Sequence, residues 1–411
     1  MEQVQYTLKD NWAWKTLDDV SEKITDGTHH SPKVQHSEWE PGRFKYITSK
    51  NIKNNGMKLD DISYIDQDIH DEIYARCPPE IEDQLLTKDG AMTGTCCLNE
   101  LNEPFSLLSS VALIKQKRSI ILPKYLNYYL QSHVGQNFLL GDISGAAITR
   151  TNIKKLKSTP VPLAPYLEQQ RIVEKLDALL TRIDTAIEHL QESVTLADAL
   201  SKNGLSEIFE SVKDRYEVVP LSSVVKINSG IALPKLFKNG FSDGDIPFFK
   251  VAQMNNHYEN MVEPEITFNE KVAKENKIKL FPKGSTLIPK RGGAILTNKK
   301  RMLLEDASYD SNIMGLKANE SKISDEYLFA FMRTIDLANF VDASTIPQVN
   351  NKHIDQMQIP LASVEEQTDV VSRVNLLVKK VETMNSEIQR QLDDLQALKS
   401  SILDSAFKGK L

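Results

Sequence analysis

Three polar stretches carry the side chains best suited to recognition at long reach. Asp26-Gly27-Thr28-His29-His30-Ser31-Pro32-Lys33 is a turn-rich loop between apolar segments. Thr149-Arg150-Thr151-Asn152 and Pro347-Gln348-Val349-Asn350-Asn351 each stand just before a long amphipathic stretch. Lys50, Asn51 and Lys53 close one β-rich run, Lys250 and Gln253 lie in another, and Lys290 and Arg291 form a basic pair. Arginine can bond guanine with two prongs in the major groove, and asparagine or glutamine can do the same with adenine. Lysines suit phosphates, which position a protein without reading sequence. The candidate DNA contacts are therefore Thr28, His29, Lys33, Lys50, Asn51, Lys53, Arg150, Asn152, Lys250, Gln253, Lys290, Arg291, Gln348 and Asn350. For each of them a purely structural role competes with contact.

Catalytic patterns do not accompany these loops. The chain has no P-loop, no Gly-x-Gly-x-x-Gly after a strand and no His-Glu-x-x-His. It also lacks Gly-x-Ser-x-Gly and the Asn-Pro-Pro-aromatic tetrapeptide that an amino-methyltransferase needs. Adjacent His29 and His30 rarely both ligate one ion, and no Cys or Asp cluster stands with them, so no metal and no cofactor are expected. Cys96-Cys97 reads as core rather than nucleophile. With Cys77 they make three cysteines, an odd count that argues against a disulfide framework and for a reducing cytosol. No apolar run approaches the roughly 20 residues of a membrane span, and the first residues do not resemble a signal peptide.

The 411 residues carry a net charge of −6, unlike many nucleic-acid binders, but the charge is unevenly spread. Lys271 to Arg301 holds ten basic residues against the single acid Glu275. Arg150, Lys154, Lys155 and Lys157 form a second basic patch. Glu168 to Glu210 is acidic, with nine carboxylates against four cations. Basic patches thus alternate with acidic helical stretches.

The elements that position the loops come twice. A shift of 198 residues sets Asn152 on Asn350, Lys154 on Lys352, Pro162-Leu163-Ala164 on Pro360-Leu361-Ala362, and Glu168-Gln169 on Glu366-Gln367. The register holds without a gap to Phe209 on Phe407. A looser match, Trp14 to Gly27 against Val218 to Gly230, opens each copy. Internal repetition of this kind defines the architecture before any other reading. The order is a variable globular segment (1–157), a helix (158–212), a second variable segment (213–355) and a second helix (356–411).

Both repeated segments show a 3-4 apolar alternation. The first runs Val173, Leu176, Leu180, Ile183, Ile187, Leu190; the second runs Val371, Val374, Val378, Val381, Asn385, Ile388. A 3.5-residue mean period is a coiled-coil seam, and each narrow stripe needs a partner helix. Parallel and antiparallel pairings both satisfy the pattern. The antiparallel one relates the copies by a pseudo-two-fold axis, the common closed solution for like units. Ser363 and Glu366 read as a capping box at one helix start, with Pro165 at the other. Gly204 predicts a kink, and Asn385 is either a register-setting polar seam residue or a solvated flaw.

Each variable segment mixes short β-branched and aromatic runs (Tyr46–Ile52, Val111–Ile114, Phe248–Val251) with helical patterns at 123–140 and 325–340. This predicts α+β domains with mostly antiparallel sheets. A DNA-reading protein without catalysis fits these features. The alternatives are a two-headed coiled-coil scaffold for proteins, against which the basic patches count, and an enzyme with an unfamiliar site.

The repeated pattern Ile-x-x-x-Asn, Pro-Leu and Glu-Gln-x-x-Val at a long helix resembles the specificity subunit of type I restriction-modification systems. Asp26-Gly27-Thr28-His29, Tyr46-Ile-Thr-Ser-Lys-Asn-Ile52 and the closing Ala406-Phe407-Lys408-Gly409-Lys410-Leu411 are also similar to that family. The resemblance spans the chain, tightly in the helices and loosely in the heads. Pro165-Tyr166-Leu167 against Ser363-Val364-Glu365 is a departure, as is Glu210-Ser211 in place of Lys408-Gly409. The resemblance implies two target-recognition domains that read the halves of a split double-stranded DNA target. It also implies paired helices that space them, and docking of two methyltransferase subunits and of motor-endonuclease restriction subunits. S-adenosylmethionine would then sit in the methyltransferase partner, and the complex would methylate adenine and restrict foreign DNA in the cytoplasm.

Overall fold

The computed structural model describes residues 6–141, 150–237, 240–256, 259–342 and 346–411. Two compact units emerge. One contains residues up to Leu190 together with Arg390–Leu411; the other is Gln191–Gln389. Each unit holds one α+β head and parts of both long helices, Tyr166–Lys213 and Val364–Phe407.

The first head is built on a four-stranded antiparallel sheet. Its strand order is Ser21–Asp26, Val111–Gln116, Gln84–Thr87, Cys96–Leu98. The central strand Val-Ala-Leu-Ile is buried throughout, which explains its unbroken apolar run: a strand covered on both faces needs no alternation. A smaller three-stranded sheet joins Ser63–Asp66, Arg43–Ile47 and Ser106–Leu107. The run expected as one strand to Ile52 turns after Ile47 into a short 3-10 helix, Ser49–Asn51. The 123–140 helical pattern is two helices, Pro123–Gln131 and His133–Leu140. Ser132 divides them, its hydroxyl accepting from the Gly135 amide, a helix-starting cap.

The second head repeats this plan. Val225–Ser229, Ile313–Ala318, Thr286–Pro289, Arg301–Leu303 and Asn260–Met261 form a five-stranded sheet. A four-stranded sheet of Phe241–Ser242, Ile266–Phe268, Ile246–Phe249 and Ser308–Tyr309 lies in the same unit. Helix Asp325–Thr334 corresponds to Pro123–Gln131. In both heads a two-stranded ribbon ties the start to the end: Ala13–Thr16 with Pro160–Leu163, and Val218–Pro220 with Gln358–Pro360. Gly27 and Gly230 mark one shared backbone crossing. A Cβ on Gly27 would lie 1.7 Å from the Leu107 carbonyl oxygen, and one on Gly230 1.9 Å from that of Asp310.

The helices are fastened to the heads by a duplicated glutamine. Gln169 is fully buried; its Oε1 accepts from the Leu122 amide, and its Nε2 donates to the Ile120 and Ala164 carbonyls. Gln367 makes the same three bonds with Ser324, Lys322 and Ala362. Leaving such buried groups unmatched would cost about 1–3 kcal/mol each. A tyrosine adds a second tie: Tyr125 donates to the Pro162 carbonyl and Tyr327 to that of Pro360. The neighbouring glutamates do not fold back as caps. Ser363 Oγ accepts from the Glu366 amide, but the Glu366 carboxylate turns to a two-pronged pair with Arg215. The expected reciprocal box is therefore only half made.

Within each unit the helices run antiparallel. In the first, Lys399 pairs with Asp184 at 2.6 Å and Arg171 reaches the Leu411 carbonyl. In the second, Asn385 Nδ2 approaches Asp198 at 3.4 Å. Leu176, Leu180 and Ile183 are buried, as are Val374, Val381 and Ile388; Ile187, Leu190, Val378 and Asn385 are half-buried. At the helix starts Ile172 and Val370 are buried instead of Val173 and Val371, which are half-buried. The first turns face their own head, so the stripe begins one residue early. The helix continues unbroken through Gly204, where a Cβ would stand 2.8 Å from Leu377 Cδ2. The glycine marks a close approach.

Candidate nucleic-acid interface

In the first head, charges from distant parts of the chain meet at one end of the main sheet. Asp26, almost wholly buried, lies 2.6 Å from Arg76 Nη2, 3.6 Å from Lys88 Nζ and 3.5 Å from His29 Nε2. Lys88, buried as well, donates to Asp89 at 2.8 Å. Asp89 in turn receives Arg150 Nε at 2.5 Å. Burial would push the Asp89 carboxyl up, but hydrogen bonds from Lys88 and Arg150, helped by their charges, hold it below the usual carboxylate range. Backbone pairing fixes the geometry: Asp89 and Arg150 are antiparallel bridge partners, and the Thr151 amide donates to the Lys88 carbonyl. The Arg150 side chain is 74% exposed beyond its anchoring carboxylate. His29 and Arg150 are thus linked to one network, and Thr28 sits beside it, bridged to Leu108.

The second head sets Lys290, Arg291 and Gln348 in the matching place. Arg291 and Gln348 are antiparallel bridge partners, and the Val349 amide donates to the Lys290 carbonyl. Lys290 Nζ reaches Ser229 Oγ at 3.0 Å, where the first head has Lys88 facing Asp26. Arg291 is exposed and Gln348 half-exposed.

Several expected contacts have internal work instead. Asn51 is buried: its Oδ1 accepts from the Thr48 amide, and its Nδ2 donates to the Lys58 and Asp61 carbonyls. Gln253 makes the equivalent brace, with Oε1 accepting from the Lys250 amide and Nε2 donating to the Glu263 carbonyl. The Asn51 amide, with both N–H groups and its oxygen engaged, cannot read a base without opening the loop. Asn152 Oδ1 caps helix Ile153–Lys157 by accepting from the Lys155 amide. Asn350 precedes helix Asn351–Gln356 and donates to Asp342. Lys50 forms an exposed pair with Asp61, and Lys250 one with Glu265. Lys33 is exposed and Lys53 half-exposed. Thr149 lies outside the described residues.

Asp26, Arg76, Lys88 and Asp89 were missed as members of the site. A signal existed for the last two: at an offset of 202, Lys88-Asp89-Gly90 falls on Lys290-Arg291-Gly292. Other chemistry has little support in the structure. Burial pushes the Cys77 and Cys97 thiols up to about 12 and Cys96 well above its ordinary value, which suits core packing and not nucleophilic attack. Among the described residues no cluster of three His, Cys, Asp or Glu side chains is placed to hold a metal. Nor is any helix there long and apolar enough to cross a membrane.

Two heads of one plan, with the same loop position differently charged, define a recognition protein with a duplicated reading element. The chain belongs to the type I restriction modification DNA specificity domain family, whose model matches residues 9–196 and again 213–393, and it is a type I specificity subunit. It is 20% identical to the type I restriction enzyme StySPI specificity subunit of Salmonella potsdam, across 98% of this chain and 90% of the relative. The EcoKI specificity subunit of Escherichia coli K12 is also 20% identical, across 89% and 82%. Among solved structures, a chain from a type I R-M system described for complex assembly and conformational transition superposes with a TM-score of 0.75 at 18% identity, covering 99% of this chain and 100% of its own. The HsdS subunit of Thermoanaerobacter tengcongensis gives 0.53 at 18% identity, with both chains fully covered. At these identities the structural likeness establishes the fold.

Proposed function

We propose that this subunit reads a split double-stranded DNA target, one half with each head, and has no catalysis of its own. In this reading the long helices hold the heads and dock two methyltransferase subunits, to which restriction subunits add. S-adenosylmethionine binds in the methyltransferase partner, and the assembly methylates adenine and restricts foreign DNA in the cytoplasm. The observation that carries it is the loop Lys88-Asp89-Gly90 with Arg150 and its counterpart Lys290-Arg291-Gly292 with Gln348. One backbone arrangement is built twice on heads whose sequences agree only loosely. Duplicated scaffolding with differing polar tips is what two different half-sites require, since phosphate contacts position and base contacts specify.

The test is to map methylated adenines genome-wide in cells with and without this subunit. The expected outcome is one bipartite motif, lost on deletion and lost when its spacer changes by one or two base pairs. Affinity of the assembled complex should fall linearly on a log–log salt plot, by about 0.9 per neutralised phosphate. Methylation that ignores sequence or spacer overturns the reading.

A further inference from the structure

The bridge pair at the tip of each head differs in a chemically complementary way, and we infer that it is the base-selecting element: Asp89–Arg150 selects a guanine, and Gln348 beside Arg291 selects an adenine. The inference rests on the proposed DNA reading and assigns to it the residues that choose the base.

The argument starts from equivalence. Asp89 and Arg291 occupy one position of the fold and Arg150 and Gln348 another, because each couple forms the same antiparallel bridge. Around them the two heads agree. A lysine precedes the bridge, and a glycine with positive φ (Gly90 at 101°, Gly292 at 72°) follows it. An exposed apolar side chain follows at a different spacing in each, Met92 (45%) two residues after the glycine and Leu296 (68%) four residues after it. Such a side chain can meet a thymine methyl. The bridge pair changes character, and the partner of the preceding lysine changes with it, from Asp26 to Ser229. In the first head the pair is an acid and a base in contact; in the second it is a cation and an amide.

That change has consequences for hydrogen bonding. Asp89 engages Arg150 through Nε, so the guanidinium is held by its inner edge and its two terminal nitrogens remain a fixed fork. Such a fork matches O6 and N7 of guanine. The Asp89 carboxylate beside it can accept from the cytosine amine of the same base pair. Gln348 offers one donor and one acceptor on a planar amide, the complement of adenine N6 and N7. Arg291 in place of Asp89 removes the acceptor for cytosine and adds a cation for the adjoining phosphate.

The experiment uses the assembled methyltransferase complex and a pool of targets randomised in both half-sites. Methylated products are sequenced for wild type, the exchange Asp89→Arg with Arg150→Gln, and the conservative Arg150→Lys. The exchange should convert one guanine of the first half-site to adenine, with a change in preference of roughly 5- to 150-fold, and leave the second half-site unaltered. Lysine keeps the charge and loses the fork, so Arg150→Lys should relax choice at that same position while the base preference of the second half-site is unaltered. An unchanged motif in either variant, or a uniform loss of methylation with the base preference intact, overturns the inference and identifies a phosphate contact or a structural brace. Those outcomes leave the split-target reading standing if wild type selects two halves; a wild-type pool without a motif defeats that reading itself.

Discussion

Phe407 stands near the end of the second helix, yet it closes the core of the first head. It is fully buried and meets Tyr125 and Tyr129 edge-on, with centroids 5.2 and 5.3 Å away. Phe209, its counterpart 198 residues earlier, meets Tyr327 and Phe331 of the second head at 5.5 Å each. Each head is therefore completed by the end of the other copy's helix. Phe407→Ala removes a buried ring and leaves a cavity, a change that costs about 3–5 kcal/mol. Two edge contacts, about 0.5–1.5 kcal/mol apiece, lie within that figure. Against a stability of about 5–15 kcal/mol the loss is large. At about 2–4 °C per kcal/mol for a unit of this size, the first unit should melt roughly 6–20 °C lower. Peptide-resolved hydrogen exchange locates the effect. Phe407→Ala should speed exchange in Pro123–Gln131 and in the ribbon Ala13–Thr16 with Pro160–Leu163, and spare Asp325–Thr334. Phe209→Ala should do the reverse. Equal loosening of both heads by either variant would refute the exchanged-core reasoning, as would an unaffected first head in Phe407→Ala.

Three further outcomes follow from the same contacts. Gln169→Leu and Gln367→Leu each strand three backbone groups, so each should lower the denaturation free energy by about 3 kcal/mol or more, read from urea melts at unchanged m-value. Lys300 is buried with its ammonium on Asn298 Oδ1 and the Ile335 carbonyl, and burial lowers its pKa from 10.5 to about 8. Because the folded pKa is depressed, the unfolded chain binds more protons between pH 8 and 10.5, and stability from this group rises with pH across that window by up to about 3 kcal/mol. The difference in unfolding free energy between wild type and Lys300→Met should change by about 2 kcal/mol from pH 7.5 to 9.5; a flat difference would show that Lys300 does not titrate there. Gly204→Ala gains about 1 kcal/mol of helix propensity against a contact with the flexible end of Leu377, so its melting point should stay near wild type, whereas Gly204→Leu should lower it.

The helices were legible because their information is periodic and local. A 3-4 apolar alternation with an identical Glu-Gln at each start is readable without knowing any neighbour. The one-residue displacement to Ile172 and Val370 was not, since it depends on each first turn facing its own head. The loops were legible as polar and long-reaching, but not in their division of labour. Asn51 and Gln253 have the side chains that read adenine and spend them on carbonyls across a tight turn. Nothing in residue type separates a bracing amide from a reading one; the distinction lies in the surrounding backbone. The Asp26–Lys88 pair was hidden for a related reason. A buried charge is tolerated only where its counterion is buried with it, and that counterion comes from another strand.

The duplicated contacts suggest why two heads of one plan can differ at their tips. The glutamine, the tyrosine on the ribbon carbonyl and the terminal phenylalanine all bind the helices to the heads, and all are the same in both copies. The Asp89–Arg150 bridge shares none of these partners. Arg150 is mostly in solvent, and an exposed ion pair contributes only about 0–1 kcal/mol. A change at Arg150 therefore leaves the buried frame intact, while on the proposed reading the same change at a base edge alters choice by up to two orders of magnitude. On that reading, stability and selectivity are carried by different residues, so a head could acquire a new target without losing its hold on the helices.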